Sequence, residues 1–280
     1  VALVNDITTA AEYRAALDQL GGESYLNEDK MALIAAEDFS RQLFSCQVNG
    51  EQYAAVSEGS CLWVRPLQGR MVVYDSTSTN VGFDDEAFGI SAGGQTEFKP
   101  DWFAGLAFGY EDGDLTSDNG VASDRTSFHG GLSLKHTMGA FAVSGALFGG
   151  KSNYETTRNA AFGGFTASNT ADHNVTALGA RIRGAYAHEF GDGGYIKPLL
   201  DLSLTHLTRE DINEAGTAAT ALTIEGGSST YLAASPAVEF GMDHKLSDSQ
   251  AVRFYGKAGV SVYTDQDFSF TGSFSNAATG

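Results

Sequence analysis

Long apolar stretches are missing from this 280-residue chain. The longest uncharged run, His136 to Gly150, is closed by Lys151 and falls short of the roughly 18 residues a transmembrane helix needs. That excludes helical membrane spans. It says nothing of β-strands, which cross by alternating lipid-facing and lumen-facing residues and never build an apolar run. Basic residues are also scarce, 17 Lys and Arg against 35 Asp and Glu, and the formal net charge of −18 argues against nucleic acid as a partner. Two cysteines, Cys46 and Cys61, allow one bridge at most. With 4 prolines, 42% hydrophobic and 19% charged residues the composition is that of a chain that folds. No basic-then-apolar leader opens the sequence at Val1, so any signal peptide belongs to a longer precursor.

Signs of chemistry are equally thin. The zinc-peptidase pattern His-Glu-x-x-His does not occur. The 6 histidines are spread without a clustered partner, so no metal, no cofactor and no enzymatic activity are expected. Asp112, Asp114 and Asp118 miss the EF-hand spacing and read as a solvated acidic loop.

The first sixty residues read as helix. Thr9 and Glu12 form a capping box ahead of the Ala- and Leu-rich segment from Ala10 to Leu20, which Gly21-Gly22 stops. A second helix is predicted over 28–45, with Ala32, Ala36, Phe39 and Leu43 at helical spacing and Asn27 as N-cap. Past Ser60 the period becomes 2. Trp102, Ala104, Leu106, Phe108 and Tyr110 share one parity; Leu178, Ile182 and Tyr186 stand against Arg181 and Arg183; Val252, Phe254, Val260 and Val262 stand against Arg253 and Lys257. In the segments that alternate cleanly the apolar parity carries no charge. The 34 glycines fit a wall that needs room on its inner face and freedom to curve.

A soluble sandwich also alternates, so the connections matter. The predicted long ones (75–86, 111–124, 153–173 and 209–229) alternate with short ones (99–101, 137–139, 190–194 and 246–250), the asymmetry of an outer-membrane barrel. From Phe88 to Phe98 an extended chain tilted by about 45° rises about 23 Å, the height of such a barrel's apolar band. Phe98 and Trp102 mark one rim, Phe88 and Tyr110 the other. The long connections are acidic, with Arg158 and Arg209 as their basic residues. The polar parity of the strands is mixed: Arg65, Arg125, Lys135, Arg181, Arg183, Lys197, Arg253 and Lys257 with Glu97, Glu189, Asp201, Glu239 and Asp243. A wet interior lined by these residues is the economical reading.

ALDQLGGESY ahead of the second helix, CLWVRPLQGR opening the first strand, FGISAGGQTEF with WFAGLAFGYEDGDL, and FYGKAGVSVYTDQDFSFTGSF near the end together resemble the translocator unit of bacterial autotransporters (type V secretion) across nearly the whole chain. The resemblance implies an all-β transmembrane antiparallel barrel, 12-stranded when complete, with an α-helix threading the pore. It further implies a bacterial outer-membrane location and a role in translocating and anchoring the protein's own N-terminal passenger. About nine strands are visible and the chain ends in Thr279-Gly280, which places the expected barrel short of its last strands. Residues 1–60 are then the helical linker and pore helix, and 61–280 the barrel. Outer-membrane lipid and lipopolysaccharide, the barrel-assembly machinery and the passenger are the expected partners of a monomer. An outer-membrane porin or adhesin barrel without secretion role is the alternative, and a soluble β-domain a third.

Two expectations follow from this topology. Cys46 and Cys61 both lie at the periplasmic end, in an oxidising compartment, and are expected to pair. The helix over 28–45 carries Glu37, Asp38 and Arg41 near its middle and is expected to plug the barrel, with Glu37 and Asp38 facing basic lumen residues, foremost Arg181 and Arg183.

Overall fold

A computed structural model describes residues 7–44, 46, 59–74, 81–191, 193–247, 250–264 and 271–275, the side chains of 243–253 excepted. Helix α1 (Ala10–Leu20) starts as its sequence dictates: Thr9 Oγ1 accepts the Glu12 amide at 3.2 Å while Glu12 Oε2 accepts the Thr9 amide at 3.0 Å, satisfying two donors left over at the helix start. Gly21 ends it, donating to Leu17 O at 2.9 Å.

Helix α2 (Ser24–Gln42) is built from strong helix formers around Met31, Ala32, Leu33, Ala35 and Ala36. It begins about a turn before the predicted start, and Asn27 is no N-cap: it lies inside the helix and donates to Val81 O at 3.3 Å. The start is set by tertiary contacts that local capping rules do not contain. Ser24 Oγ donates to Asn119 Oδ1 at 2.8 Å, and Asn119 Nδ2 donates to Asp18 O at 2.9 Å.

Nine long strands follow among the described residues: β1 (Cys61–Val73), β2 (Phe83–Lys99), β3 (Trp102–Ser117), β4 (Val121–Met138), β5 (Phe141–Phe162), β6 (Phe165–Tyr186), β7 (Gly194–Arg209), β8 (Gly227–Ser247) and β9 (Gln250–Gly259). Each pairs antiparallel with the next in chain order, from β1 at one end of the path to β9 at the other, a nine-stranded half-barrel.

Two predicted loops turn out to be strand. β3 runs to Ser117 and β4 starts at Val121, and β5 and β6 meet across Gly163-Gly164, both at positive φ (50° and 74°), a conformation that favours glycine. The reason is physical. Backbone ladders need no apolar face, and here the inner face buries polar groups such as Ser123, Thr156 and Arg158, so the hydrophobic alternation fades while the pairing continues. Asp112 and Asp114 therefore sit on β3 and not in a loop; Asp112 accepts from Tyr110 Oη at 2.9 Å and Thr126 Oγ1 at 3.1 Å. β5 and β6 have 22 residues each. At a tilt near 45° that is about 50 Å, roughly twice the apolar band, so this hairpin projects past the membrane. Between β7 and β8, short strands Ile212–Asn213 and Leu222–Ile224 join Gly272–Phe274 in a separate small sheet.

Burial is inside out. Phe88, Phe108, Leu132, Leu147 and Leu178 point outward at 63–66% exposure, while their neighbours of opposite parity are buried Ser, Thr, Arg and small residues. The apolar core lies in the lumen, where Ala32, Leu33, Ala36, Phe39, Leu43 and Phe44 of the helical region pack on Ala107, Ala146, Phe148, Val175, Ala177 and Leu207 of the wall. Rings gather at both ends of the outer band: Trp102 stacks on His136 (4.2 Å) and Phe141 meets Tyr186 (4.7 Å) at one, Tyr110 meets Phe128 (5.2 Å) at the other.

Candidate functional site: a helix held in a charged lumen

Thirteen of the nineteen residues of α2 are buried, on all sides but a stripe through Lys30, Ile34, Asp38 and Arg41, so it is seated deep in the half-barrel and not laid on a surface. Its length, about 28 Å at 1.5 Å per residue, spans the apolar band. Polar contacts grip it at successive heights. Near the top Tyr25 Oη donates to Glu214 Oε1 (2.9 Å), whose carboxylate also takes Arg158 Nε (2.8 Å) and Nη2 (2.5 Å); Arg158 reaches on to Gln19 O and Thr220 O. One turn lower, the fully buried Glu28 accepts from Ser123 Oγ and Thr156 Oγ1 (2.7 Å) and faces His173 Nε2 at 2.9 Å, while Asp29 takes Arg209 Nη1 at 2.5 Å.

Lower still, Glu37 is 2% exposed and receives Arg181 Nη2, Ser203 Oγ (2.9 Å) and Thr205 Oγ1 (2.5 Å). Arg181 completes its own shell with Ser40 Oγ (2.8 Å) and Asp201 Oδ2 (3.3 Å). Arg183 does not reach the helix carboxylates: it binds Asp201 in a fork (2.6 and 2.7 Å) and lies over the Phe44 ring at 4.9 Å. The expectation for Asp38 fails. Its half-exposed carboxylate pairs with Arg41 one turn on, in the same helix, because Glu37 takes the side of the helix that faces β6 and β7 and the next residue is rotated about 100° away. At the foot, Cys46 and Cys61 are joined by a disulfide, and the Cys46 carbonyl accepts from Gln95 Nε2 (3.2 Å) and Lys135 Nζ (3.3 Å).

The other predicted lumen residues divide. Arg125 is buried with Glu111 (3.0 Å) and Asp85 (3.6 Å), and Lys197 pairs with Glu239 at 2.8 Å. Glu97 shares the lumen parity but sits at the turn, where it accepts the Asp101 amide at 3.0 Å. Arg65 on β1 is exposed, its guanidinium 5.7 Å from the Trp63 ring, and Lys257 on β9 is also exposed. Arg253 pairs in register with Asp243; both side chains lie outside the described residues. Small wall residues make room for the helix: a Cβ on Gly131 would stand 2.6 Å from Leu43 Cδ1, and one on Gly109 3.0 Å from Phe39 Cδ2.

With this geometry, the family model for the autotransporter β-domain matches residues 62–280. The chain belongs to the autotransporter β-domain family. The translocator domain of autotransporter NalP from Neisseria meningitidis has the same fold at a TM-score of 0.63 and 14% identity, over 85% of this chain and 78% of that one. The β-domain of the Bordetella autotransporter BrkA follows at 0.55 and 16%, over 74% and 81%. No curated protein sequence matches. The protein is thus an outer-membrane barrel.

Several residues of this autotransporter β-domain escape the sequence reading: Tyr25, Glu28, Asp29, His173 and Glu214. Arg158 and Arg209 carried a signal, as basic residues in otherwise acidic segments. Gly89-Ile90-Ser91-Ala92-Gly93 also spells the five-residue pattern of a hydrolase nucleophile. Ser91, however, lies within antiparallel β2 and not on a strand-to-helix turn, and its hydroxyl bonds Gln42 of α2 and the Arg65 carbonyl.

Proposed function

We propose that residues 61–280 form the membrane anchor through which the protein's own N-terminal passenger is exported, and that residues 1–60 are the linker left in and above the pore when export ends. The observation that carries this reading is the seating of α2 among wall residues that match it: Glu37 answered by Arg181, Glu28 by Ser123 and Thr156, Phe39 and Leu43 by glycines. An ordinary porin has no reason to fill its lumen with a helix that enters from its N-terminal side. On this reading Arg65, Arg125, Lys135, Arg181, Arg183, Lys197, Asp201, Glu239 and Lys257 line the path, and they position a polypeptide without performing a reaction. Lipid and lipopolysaccharide surround the outward face of a monomer, and insertion calls on the barrel-assembly machinery.

Protease shaving of intact cells tests the reading. Passenger fused to the complete barrel should be cleaved from outside, and the same passenger without residues 61–280 should be protected. Equal protection of both would leave a barrel without secretion role.

A further inference from the structure

Cys61 is the first residue of β1 and stands in register with Gln95 of β2, so it is part of the barrel wall. Cys46 lies just past the end of α2, buried, with its carbonyl on Gln95 and Lys135. Along the chain the two are 15 residues apart, whereas their Cα atoms are 6.0 Å apart. A free connection of that length reaches about 50 Å when extended. The helix it follows is about 28 Å long. By main-chain connection alone, α2 could therefore be drawn out of the lumen from rim to rim with every barrel strand still in place. Across the bridge only residues 43–45 separate the helix from the cysteine fixed to the wall, which limits its travel to about 10 Å.

From this contrast we propose that the Cys46–Cys61 disulfide is a short tether, which holds the foot of α2 in the pore against outward pull. The idea rests on the export reading above, in which a passenger outside the cell is attached to the N-terminal end of this helix. The polar grips on Tyr25, Glu28, Asp29 and Glu37 lie at successive heights, so a pull from the top meets them one at a time and can peel them in turn. A covalent bond at the foot is loaded last and does not peel. Closing it removes two protons and two electrons from the thiol pair, which pass by thiol–disulfide exchange to a disulfide-bearing oxidant that leaves as the dithiol.

Single-channel recording of the full-length, passenger-bearing protein in planar bilayers tests the tether. Glu28, Asp29, Glu37 and Asp38 outnumber Lys30 and Arg41 on α2, so a bias that drives negative charge outward loads the helix. Oxidised protein should stay quiet at both polarities. Cys46→Ser/Cys61→Ser protein should open severalfold more often at the loading polarity, to the level of a variant lacking residues 24–42. Should the double variant fail to give a heat-modifiable folded band, wild-type protein reduced in the bilayer, its two thiols titrated afterwards, supplies the same comparison. Unbridged protein as quiet as oxidised protein would overturn the tether. Unchanged conductance after deletion of 24–42 would instead remove the plug on which it depends.

Discussion

Glu37 and Asp38 are neighbours with the same charge, and the lumen treats them differently. Glu37 is enclosed by a guanidinium and two hydroxyls; Asp38 leans on Arg41 and half faces open space. Taking one partner from a buried ion pair costs about 3–5 kcal/mol, because the remaining charge is stranded away from water. Arg181→Met should therefore lower the denaturation midpoint of the folded barrel sharply on heat-modifiability gels, and Glu37→Gln/Arg181→Met should recover part of the loss. Asp38→Asn should stay within about 0.5 kcal/mol of wild type. At Gly131 the question is steric: a Cβ there meets Leu43 Cδ1 at 2.6 Å and Leu147 O at 2.9 Å. Gly131→Val should destabilise by about 1–3 kcal/mol through overpacking, and Leu43→Ala in the same protein should relieve part of it.

Among the elements, those with a local cause were the legible ones. The Thr9–Glu12 box and Gly21 bound α1 in the sequence as in the structure, and alternation marks the long strands where one face meets lipid, except that Cys61–Val73 hardly alternates and the start of β5 does so loosely. What stayed hidden lacks a local cause. The start of α2 depends on Asn119, nearly a hundred residues away, and the upper parts of β3 to β6 bury a mixture of polar and apolar groups on their inner face, Ser123, Thr156 and Arg158 beside Leu115 and Tyr154, so their pairing leaves no clean hydrophobic period. The Glu28 and Arg158 networks join segments that no spacing rule connects, while Arg181 could be named because a buried carboxylate must find a cation among few candidates. A test at this scale concerns α1. Backbone and side-chain hydrogen bonds from Thr8 and Thr9 hold the exposed Glu12 carboxyl below the usual glutamate range. A depressed value in the folded state stabilises above the ordinary pKa and is lost as pH falls through the lower, folded one. Protection factors of the α1 amides, that is exchange corrected for the intrinsic rate at each pH, should thus be higher at neutral pH than in acid, and Thr9→Ala should remove about 1 kcal/mol of protection at any pH. An acid response confined to α2 would speak against this origin.

The whole molecule is an inverted protein: its apolar side chains face outward in a band and its charges face a helix. Neither half makes sense alone. The outer face of Phe88, Phe108, Leu132 and Leu178 is a liability in water and a solvent match in lipid, and Glu37 and Asp29 of α2 would be costly to bury without Arg181 and Arg209 of the wall. The most direct measurement of the central claim, that α2 occupies the lumen of an assembled outer-membrane barrel, is a crosslink in native membranes. In protein whose own pair is removed by Cys46→Ser/Cys61→Ser, Leu43→Cys and Gly131→Cys place one thiol on the foot of the helix and one on the inner face of β4. Oxidation of intact outer membranes should join them within the heat-modifiable, folded species. Folded barrels in which both thiols stay free under oxidant would contradict the account.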